Sequence, residues 1–269
     1  DPGDDEKRLH PALAQEARGE LSYGNYNYFR GYLSLNSTIG DDIAFRISYL
    51  HTQRDGLIYN TTYREKWDGL NNNAARFDLV WKPSDNFKLR FIADYSIQKG
   101  DMGFNSVASI LPTVLANGTQ VRGFYRRAAD VGYTPIAIDP FARRTDIDSS
   151  QYDEMPSWGL QARADWTLPG GTTLTSISAY RQWKWLPNFD GDQFGANIST
   201  ESIVITHQQQ YSQELRVSSP GNQTIDYTGG AYFFWQKADD LQVQAYGRDA
   251  AVWLTTPNTP SPTAPASAL

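Results

Sequence analysis

The chain has 269 residues, of which 40% are hydrophobic, 13% aromatic and 20% charged, and its formal net charge is −6 at pH 7. This charge argues against a nucleic-acid partner, because nucleic-acid binders carry a basic surface that neutralises phosphates. The absence of cysteine excludes a disulfide framework and cysteine-ligated zinc. No apolar run approaches the roughly 20 residues that a membrane-spanning helix needs, so a membrane crossing requires strands.

The first half of the chain predicts strands joined mostly by turns. Residues 1–18 are charged and lack a clear period, so we interpret them as a lead-in. Strands are predicted from Gly19 onward, at 19–24, 28–37, 43–53, 75–81 and 87–98. In the fifth strand Phe87, Leu89 and Phe91 alternate with Lys88 and Arg90. Such a strand has one apolar and one charged face, and it therefore separates two media.

The second half begins with a long connection. A stretch rich in Gly and Pro, about 99–157, is the longest loop expected here, and loops of this length are usually functional. Further strands are predicted at 158–168, at 172–183, in a long segment ending at Ser219, and at 225–236. The alternation in 172–183 is too poor to assign its faces. Residues 19–253 are interpreted as a partial β-barrel, and the low-complexity tail 254–269 as disordered.

Charged residues in these strands fall on one face. A Lys or Arg that faces lipid at the bilayer midplane costs about 2–4 kcal/mol, whereas a charge that faces a water-filled lumen costs little. The pattern predicts an all-β fold, an antiparallel transmembrane β-barrel segment of about nine strands, with a soluble sandwich or propeller as the alternative. The residues expected to face the lumen are Arg46, Arg76, Asp78, Lys88, Arg90, Asp94, Arg163, Asp165, Glu214 and Arg216. A solvated barrel wall explains these charges without a specific role.

Several segments resemble TonB-dependent outer-membrane receptors. The first is GNYNYFRGYLSLNSTIGDDIAFRISYLHTQRDGLIYN (24–60), and later ones are LPGGTTL (168–174), YSQELRVSSP (211–220) and YTGGAYFFW (227–235). The resemblance covers roughly residues 19–240. It implies a 22-stranded barrel, an N-terminal plug and coupling to an inner-membrane energy machine. Because only about nine strands are predicted here, we expect the chain to be an incomplete, early part of such a barrel.

The resemblance implies a function in transport. It predicts energised uptake of a scarce solute, such as an iron–siderophore complex, cobalamin or an oligosaccharide, at the bacterial outer membrane. The implied partners are membrane lipid, the TonB energy-coupling complex, and a small solute or metal chelate. The alternative is a soluble β-rich carbohydrate-binding or carbohydrate-active domain, in which aromatic residues stack on sugars and paired carboxylates perform acid–base chemistry.

The long loop carries candidate solute-contacting residues. Tyr125, Arg126, Arg127, Arg143 and Arg144 have the chemistry to recognise an anionic chelate or sugar acid through charge-assisted hydrogen bonds. Solvated loop charge without a specific role is the simpler interpretation, and solute recognition is the alternative.

Other polar groups do not indicate a metal site or catalysis. The Asp190-Gly191-Asp192 run provides two carboxylates, fewer than the six to eight oxygens that calcium prefers, so we interpret it as a turn. The three histidines, His10, His51 and His207, lie far apart in the sequence without metal-ligand spacing. The sequence therefore predicts no enzyme activity, no metal site and no cofactor.

Overall fold

The computed structural model describes residues 15–101 and 107–255. These residues form mainly antiparallel strands, which confirms the all-β prediction. The strands are β1 (Glu16–Gly24), β2 (Tyr28–Ile39), β3 (Ile43–Arg54), β4 (Ile58–Asn60), β5 (Glu65–Trp67), β6 (Leu70–Ser84), β7 (Phe87–Gly100), β8 (Arg144–Thr145), β9 (Tyr152–Thr167), β10 (Thr173–Asn188), β11 (Glu201–Ser218) and β12 (Thr228–Ala245).

Nine of these strands form one antiparallel sheet. Its order is β1-β2-β3-β6-β7-β9-β10-β11-β12, so each strand pairs with the one before and after it along the main path of the chain. The predicted count of nine is thereby confirmed. Strands β1 and β12 are the edges, and within the described residues they do not pair with each other, so the sheet is open. The short strands β4, β5 and β8 form a second sheet.

Strand register sorts the side chains onto two faces. Residues directly opposite each other in an antiparallel ladder project to the same side. Ile47 lies opposite Phe77, Phe77 opposite Ala93, and Ala93 opposite Leu160, so one face remains apolar across four strands. We call this the apolar face. Its large side chains are widely exposed, among them Leu33, Leu35, Ile47, Tyr49, Trp81, Tyr95, Trp158, Leu160, Trp166 and Leu215.

The opposite side of the sheet, the polar face, carries the charges that were predicted to face a lumen. Arg46 lies opposite Asp78, Arg76 opposite Asp94, and Lys88 opposite Asp165. The remaining residues expected to face a lumen share this side through the same ladders: Arg90, Arg163, Glu214 and Arg216. All ten predicted residues therefore lie on one face, and the assignment of that face to a lumen stays a prediction.

Ion pairs on the polar face join β7 to β6, through Arg90 and Asp78, and two residues within β9, Arg163 and Asp165. Arg90 donates from Nε and Nη2 to the two carboxylate oxygens of Asp78, at 3.0 and 2.6 Å. Arg163 binds Asp165 in the same two-pronged way at 2.8 and 3.0 Å. Such paired hydrogen bonds fix geometry as well as charge. In these pairs a carboxylate neutralises the charge of each arginine.

The strand 172–183, whose faces the sequence left open, is part of β10. Its Arg181 lies on the polar face and donates to Asp94 at 2.8 and 3.0 Å. Ser176 and Ser178 lie on the apolar side, opposite Ala164 and Ala162, and Ile177 lies on the polar side, opposite Arg163. The poor alternation thus reflects small polar residues on the apolar face and three apolar residues, Ile177, Ala179 and Trp183, on the polar face.

The two ends of the sheet differ in the length of their connections. At one end the chain turns through 40–42, 85–86, 168–172 and 219–227. At the other end, the loop end, it passes through the turn 25–27 and the longer segments 55–69, 101–151, 189–200 and 246–255. A hydrogen bond from the Asp55 amide to the Tyr26 carbonyl, at 2.8 Å, joins the short turn to this group.

Several element boundaries differ from those expected. Strand β1 begins at Glu16, within the predicted lead-in, and the longest connection spans 101–151 because β7 and β9 extend beyond their predicted ends. Pro156 lies inside β9, where the ladder to β10 omits the positions of Met155 and Pro156. This gap fits a residue that has no N–H to donate. Of the predicted lead-in 1–18 and the predicted tail 254–269, residues 1–14 and 256–269 lie outside the described residues.

Two short helices belong to the loop end. Helix α1 (Phe124–Asp130) lies in the longest connection, and helix α2 (Ala250–Thr255) follows β12. Among the residues that the structure describes, no helix is long and apolar enough to cross a membrane.

Neighbouring glycines in β12 provide a test of the β11–β12 packing. A Cβ at Gly230 would lie 2.3 Å from the Leu215 carbonyl oxygen, whereas a Cβ at Gly229 meets nothing within 4 Å. We expect Gly230→Ala to lower the free energy of unfolding by about 1–3 kcal/mol, because backbone must move to admit the methyl group. Gly229→Ala is the matched control and should leave stability unchanged or slightly higher. Denaturant titration of the two purified variants measures the difference, and equal midpoints would contradict the close approach.

Candidate functional site

Backbone pairing unites the connections at the loop end. Strand β4 runs parallel to β8, so residues 58–60 are held beside residues 144–145, more than eighty positions later in the chain. Asn60, which is fully buried, reinforces this pairing by donating from Nδ2 to the Ile147 carbonyl oxygen at 2.9 Å. Asn197 joins the next two connections, because it donates from Nδ2 to Asp148 Oδ2 at 3.0 Å and its carbonyl accepts from the Asp249 amide at 2.9 Å.

A small aromatic core packs between these connections. Ala196, Ile198 and Ala250 are buried there, and partly buried rings pack around them. Phe194 stacks on Tyr133, with ring centroids 5.8 Å apart, and Phe124 contacts Phe194 edge-on at 5.3 Å. Trp253 of α2 completes the group, 5.4 Å from Phe194. The loop end thus has its own core, and it is a structured body rather than a set of independent loops.

A pocket of about 280 Å³ opens beside this core. Its apolar lining includes Ile58, Val107, Ile110, Phe124, Ile136 and Phe194, and its polar lining includes Tyr133, Asp139, Arg144, Asp146, Asp192 and Gln193. Pockets of this type, mostly apolar with a few polar groups, are the usual form of small-molecule sites. We take this loop-end pocket as the candidate functional site.

The polar groups in the pocket are held in place by short hydrogen bonds. The Tyr133 hydroxyl donates to Asp146 Oδ2 at 2.6 Å, and burial together with this carboxylate raises the pKa of Tyr133. Asp192 accepts from the Ser199 amide at 2.7 Å and from the Phe194 amide at 3.2 Å. Because these partners belong to the loop scaffold, the carboxylates are oriented before any solute arrives.

Three of the five residues predicted to contact solute lie on α1. Tyr125 is exposed and touches Phe124 edge-on at 5.5 Å. Arg126 pairs with Asp130 one turn along the helix at 3.2 Å, and Arg127 donates to the Trp253 carbonyl oxygen. Arg127 thus ties α1 to α2. The pocket lining does not include these three residues, and their role in recognition stays a prediction.

The other two predicted residues flank the small sheet. Arg143 adopts a left-handed conformation, with φ of 51°, and donates to the Tyr26 hydroxyl at 2.9 Å. Arg144, the first residue of β8, is exposed and lines the pocket. Of the five residues, Arg144 is therefore the one that the structure brings to the pocket.

The turn interpretation of residues 190–192 is confirmed. Asp190 Oδ1 accepts from the backbone amides of Asp192 and Gln193, at 2.9 and 3.1 Å, as an Asx turn does. Among the described residues, no group of three or more acidic or histidine side chains is arranged to hold a metal ion.

Asp190 is nonetheless an unusual turn residue. Its side chain is fully buried, and Oδ2 lies without a hydrogen-bond partner among the described atoms. Burial first, and the nearby charge of Asp192 second, raise the pKa of Asp190 from its ordinary value of 3.8 to about 7. The pKa of Asp192 is raised as well, again mainly by burial. The turn is therefore more stable when its carboxyl groups are protonated.

Asp190 should make the loop end sensitive to pH. Because its folded-state pKa exceeds the ordinary value, the stability it contributes is fully present below pH 4 and is lost as the pH rises through about 7. Each unit of pKa difference corresponds to about 1.4 kcal/mol. Asp190→Asn retains an Oδ1 acceptor for both amides, so we expect hydrogen exchange across residues 189–199 to become nearly independent of pH after correction for intrinsic rates.

Asp85→Asn, in an exposed turn at the other end of the sheet, is the control for that measurement. In the parent protein, hydrogen exchange across residues 189–199 should accelerate between pH 5.5 and 8, and Asp85→Asn should keep this acceleration. An unchanged acceleration in Asp190→Asn would mean that a different group, such as Asp192, controls the turn.

Several pocket residues could not be predicted from the sequence. Tyr133 and Asp146 come from one connection and Phe194 from the next one of the loop end, and neither segment has a periodic pattern. Pro135 and the aliphatic run Ile136–Ile138 were a local sign of an apolar patch, since three apolar residues in succession are unusual in a polar loop. The hydrogen bond from Asn197 to Asp148 helps to hold these two connections together, and a single sequence does not reveal such a contact.

Comparison with known proteins places the fold. The sequence matches no protein-family model. The ferric yersiniabactin uptake receptor from Yersinia pestis is similar over 87% of this chain, with a TM-score of 0.61 and 15% identity. The ferric preacinetobactin receptor from Acinetobacter baumannii is similar over 94%, with a TM-score of 0.58 and 12% identity. The ferripyoverdine receptor of the Pseudomonas aeruginosa outer membrane is similar over 86%, with a TM-score of 0.57 and 11% identity.

The match covers most of this chain but only part of each receptor. The chain spans 33%, 36% and 29% of the lengths of those three receptors, respectively. At such low identities the likeness is one of fold, and it agrees with the resemblance found in the sequence. The described chain therefore has the fold of about one third of a siderophore receptor.

Proposed function

We propose that the chain forms part of an outer-membrane TonB-dependent receptor that takes up an iron–siderophore complex. The observation that carries the proposal is the match of the nine-stranded sheet to three siderophore receptors over at least 86% of this chain. Cobalamin and oligosaccharides are other solutes that the sequence resemblance allows, but the three similar receptors are named for ferric siderophores.

The two faces of the sheet support a membrane location. The large side chains of the apolar face are exposed, and soluble monomers rarely expose an apolar patch of this extent. Strands β6 to β12 of the main sheet have 14–18 residues, longer than the roughly 9–11 that a tilted strand needs to cross the hydrocarbon. Lipid on the apolar face and water on the polar face explain both features.

The alternative, a soluble carbohydrate-binding or carbohydrate-active domain, accounts less well for these features. Its exposed aromatic residues should cluster at a sugar site, whereas here a large group of them, among them Tyr49, Tyr95 and Trp166, is spread over the apolar face of the sheet. Extraction only by detergent and heat-modifiable migration favour the membrane protein. A chain that is soluble without detergent would favour the alternative, and we propose no catalytic role.

The asymmetric ends of the sheet support an orientation. Outer-membrane barrels have short periplasmic turns and longer extracellular loops. The loop end, with its pocket, is then external and meets the solute first, and the polar face lines the interior. Energy coupling through TonB belongs to the whole receptor.

Uptake of radioactive iron tests the proposal. Cells that lack the gene for this protein, starved of iron, should lose uptake of at least one ferric siderophore from a panel, and the plasmid-borne gene should restore it. Deletion of tonB should abolish the same uptake. Loss of cobalamin or oligosaccharide uptake instead, with ferric siderophore uptake intact, would overturn the assignment to iron.

The assigned faces predict different effects of two substitutions on neighbouring strand positions. Phe91 lies on the apolar face and Lys88 on the polar face. Phe91→Arg should strongly reduce membrane assembly, because a lipid-facing Arg near the midplane costs about 2–4 kcal/mol. Lys88→Phe should assemble nearly as well as the parent. Heat-modifiable migration of membrane fractions measures assembly, and equal yields would contradict the assigned faces.

The long connection predicts a separation of assembly from uptake. Replacing residues 107–141 with a flexible linker removes α1 and most of the pocket wall but leaves the paired strands β7 and β9 intact. Because loops carry function on a rigid scaffold, the variant should assemble and lose most solute uptake. Normal assembly with parental uptake would reduce the segment to a connection without a role in capture.

A further inference from the structure

We propose that the loop-end pocket binds a ring-bearing amine in its cationic form. The proposal rests on the proposed function, because the ring-bearing amine is the group of the captured solute that the external pocket would hold. It differs from the expectation that arginines of the long loop recognise an anionic chelate.

The shape and lining of the pocket favour a ring. Its volume of about 280 Å³ accommodates one or two fused rings, and its walls are formed largely by Ile58, Ile110, Ile136, Phe124 and Phe194. Apolar walls of this kind favour a group that leaves water readily.

The charge of the pocket favours a cation. Among its described lining residues, three are carboxylates, Asp139, Asp146 and Asp192, and one is a cation, Arg144. The carboxylates accept hydrogen bonds from neutral donors, namely the Phe141 amide, the Tyr133 hydroxyl, and the Ser199 and Phe194 amides. Their negative charge is therefore not neutralised by these contacts.

The aromatic rings act in the same direction. Phe124, Tyr133 and Phe194 line the pocket and pack against one another at centroid distances of 5.3–6.5 Å. Aromatic faces attract organic cations through their quadrupoles, and carboxylates beside them add a direct charge interaction. An anionic group of the same size would meet three carboxylates and find a single exposed arginine.

Three naphthalene probes with different charges test the proposal in the purified, detergent-solubilised full protein. Saturation-transfer NMR titrations give the dissociation constants of 2-naphthylmethylammonium, 2-naphthylmethanol and 2-naphthoate. We expect the ammonium to bind at least about fivefold more tightly than the naphthoate, with the alcohol between them. Equal binding, or tighter binding of the naphthoate, would overturn the proposal.

Two matched valines locate the binding. Val107 lines the pocket and Val114 lies outside it in the same connection, and both side chains are about half exposed, so both tolerate a larger group. Val107→Trp should weaken binding of the ammonium probe at least about fivefold by filling the pocket. Val114→Trp should bind as the parent does. Equal effects of the two substitutions would place the probe elsewhere and overturn the assignment.

Two charge substitutions test the origin of the preference. Asp139→Asn should reduce the ratio of ammonium to naphthoate affinity, and Arg144→Gln should increase it, because they remove opposite charges from the same pocket. Changes in the reverse directions would contradict the proposed charge complementarity. These measurements do not involve transport, so the two proposals can fail separately. If the parent protein shows no preference for the ammonium probe but the cells take up ferric siderophore, only this inference is refuted. If the preference is present but ferric siderophore uptake does not depend on the protein, only the proposed function is refuted.

Discussion

The antiparallel register of nine strands is the constraint on which the rest of the structure depends. Opposite residues must share a side, so one polar residue placed on a strand determines the side of its partners in every neighbouring strand. Arg46, Asp78 and Gln161 follow this rule across the sheet, as do Ile47, Phe77 and Leu160 on the other side. A shift of one residue in any strand would bring charges onto the apolar face. The ion pair between Arg90 and Asp78 stabilises the register, since its geometry requires β6 and β7 to be aligned as they are.

The same rule explains which strands and faces could be predicted from the sequence alone. Strands such as β7 alternate so regularly that their existence, faces and approximate ends were predictable. In β10, by contrast, Ser176 and Ser178 lie on the apolar face and Ile177 on the polar face, so periodicity within that strand was uninformative and only its partners determine its facing. Pro156 suggested a loop, yet β9 continues through it because the ladder to β10 is interrupted at that position. Pairing between strands overrides the local preference.

The candidate site was far less predictable. Its walls come from three separate connections of the loop end, which the pairing of β4 with β8 and the hydrogen bond from Asn197 to Asp148 hold together. Arginines were predicted to contact solute because charged residues are easily identified in a sequence. In the structure, however, Arg126 and Arg127 contact Asp130 and the Trp253 carbonyl, within the loop scaffold. Carboxylates such as Asp146 became relevant only once the fold placed them beside apolar walls. Recognition chemistry at this end is a property of the assembled connections and not of any single segment.

The buried turn and the pocket are physically linked. Asp190 lies two residues from Asp192, and the Asp192 carboxylate both lines the pocket and accepts the amide of Phe194, which supplies one of its aromatic walls. Protonation of Asp190 removes a buried charge that repels Asp192, and this stabilises the turn that carries both the carboxylate and the ring. A lower pH therefore has two opposite effects on the site. It stabilises the turn that carries Asp192 and Phe194, and it reduces the negative charge of the pocket, which lowers the affinity for a cation.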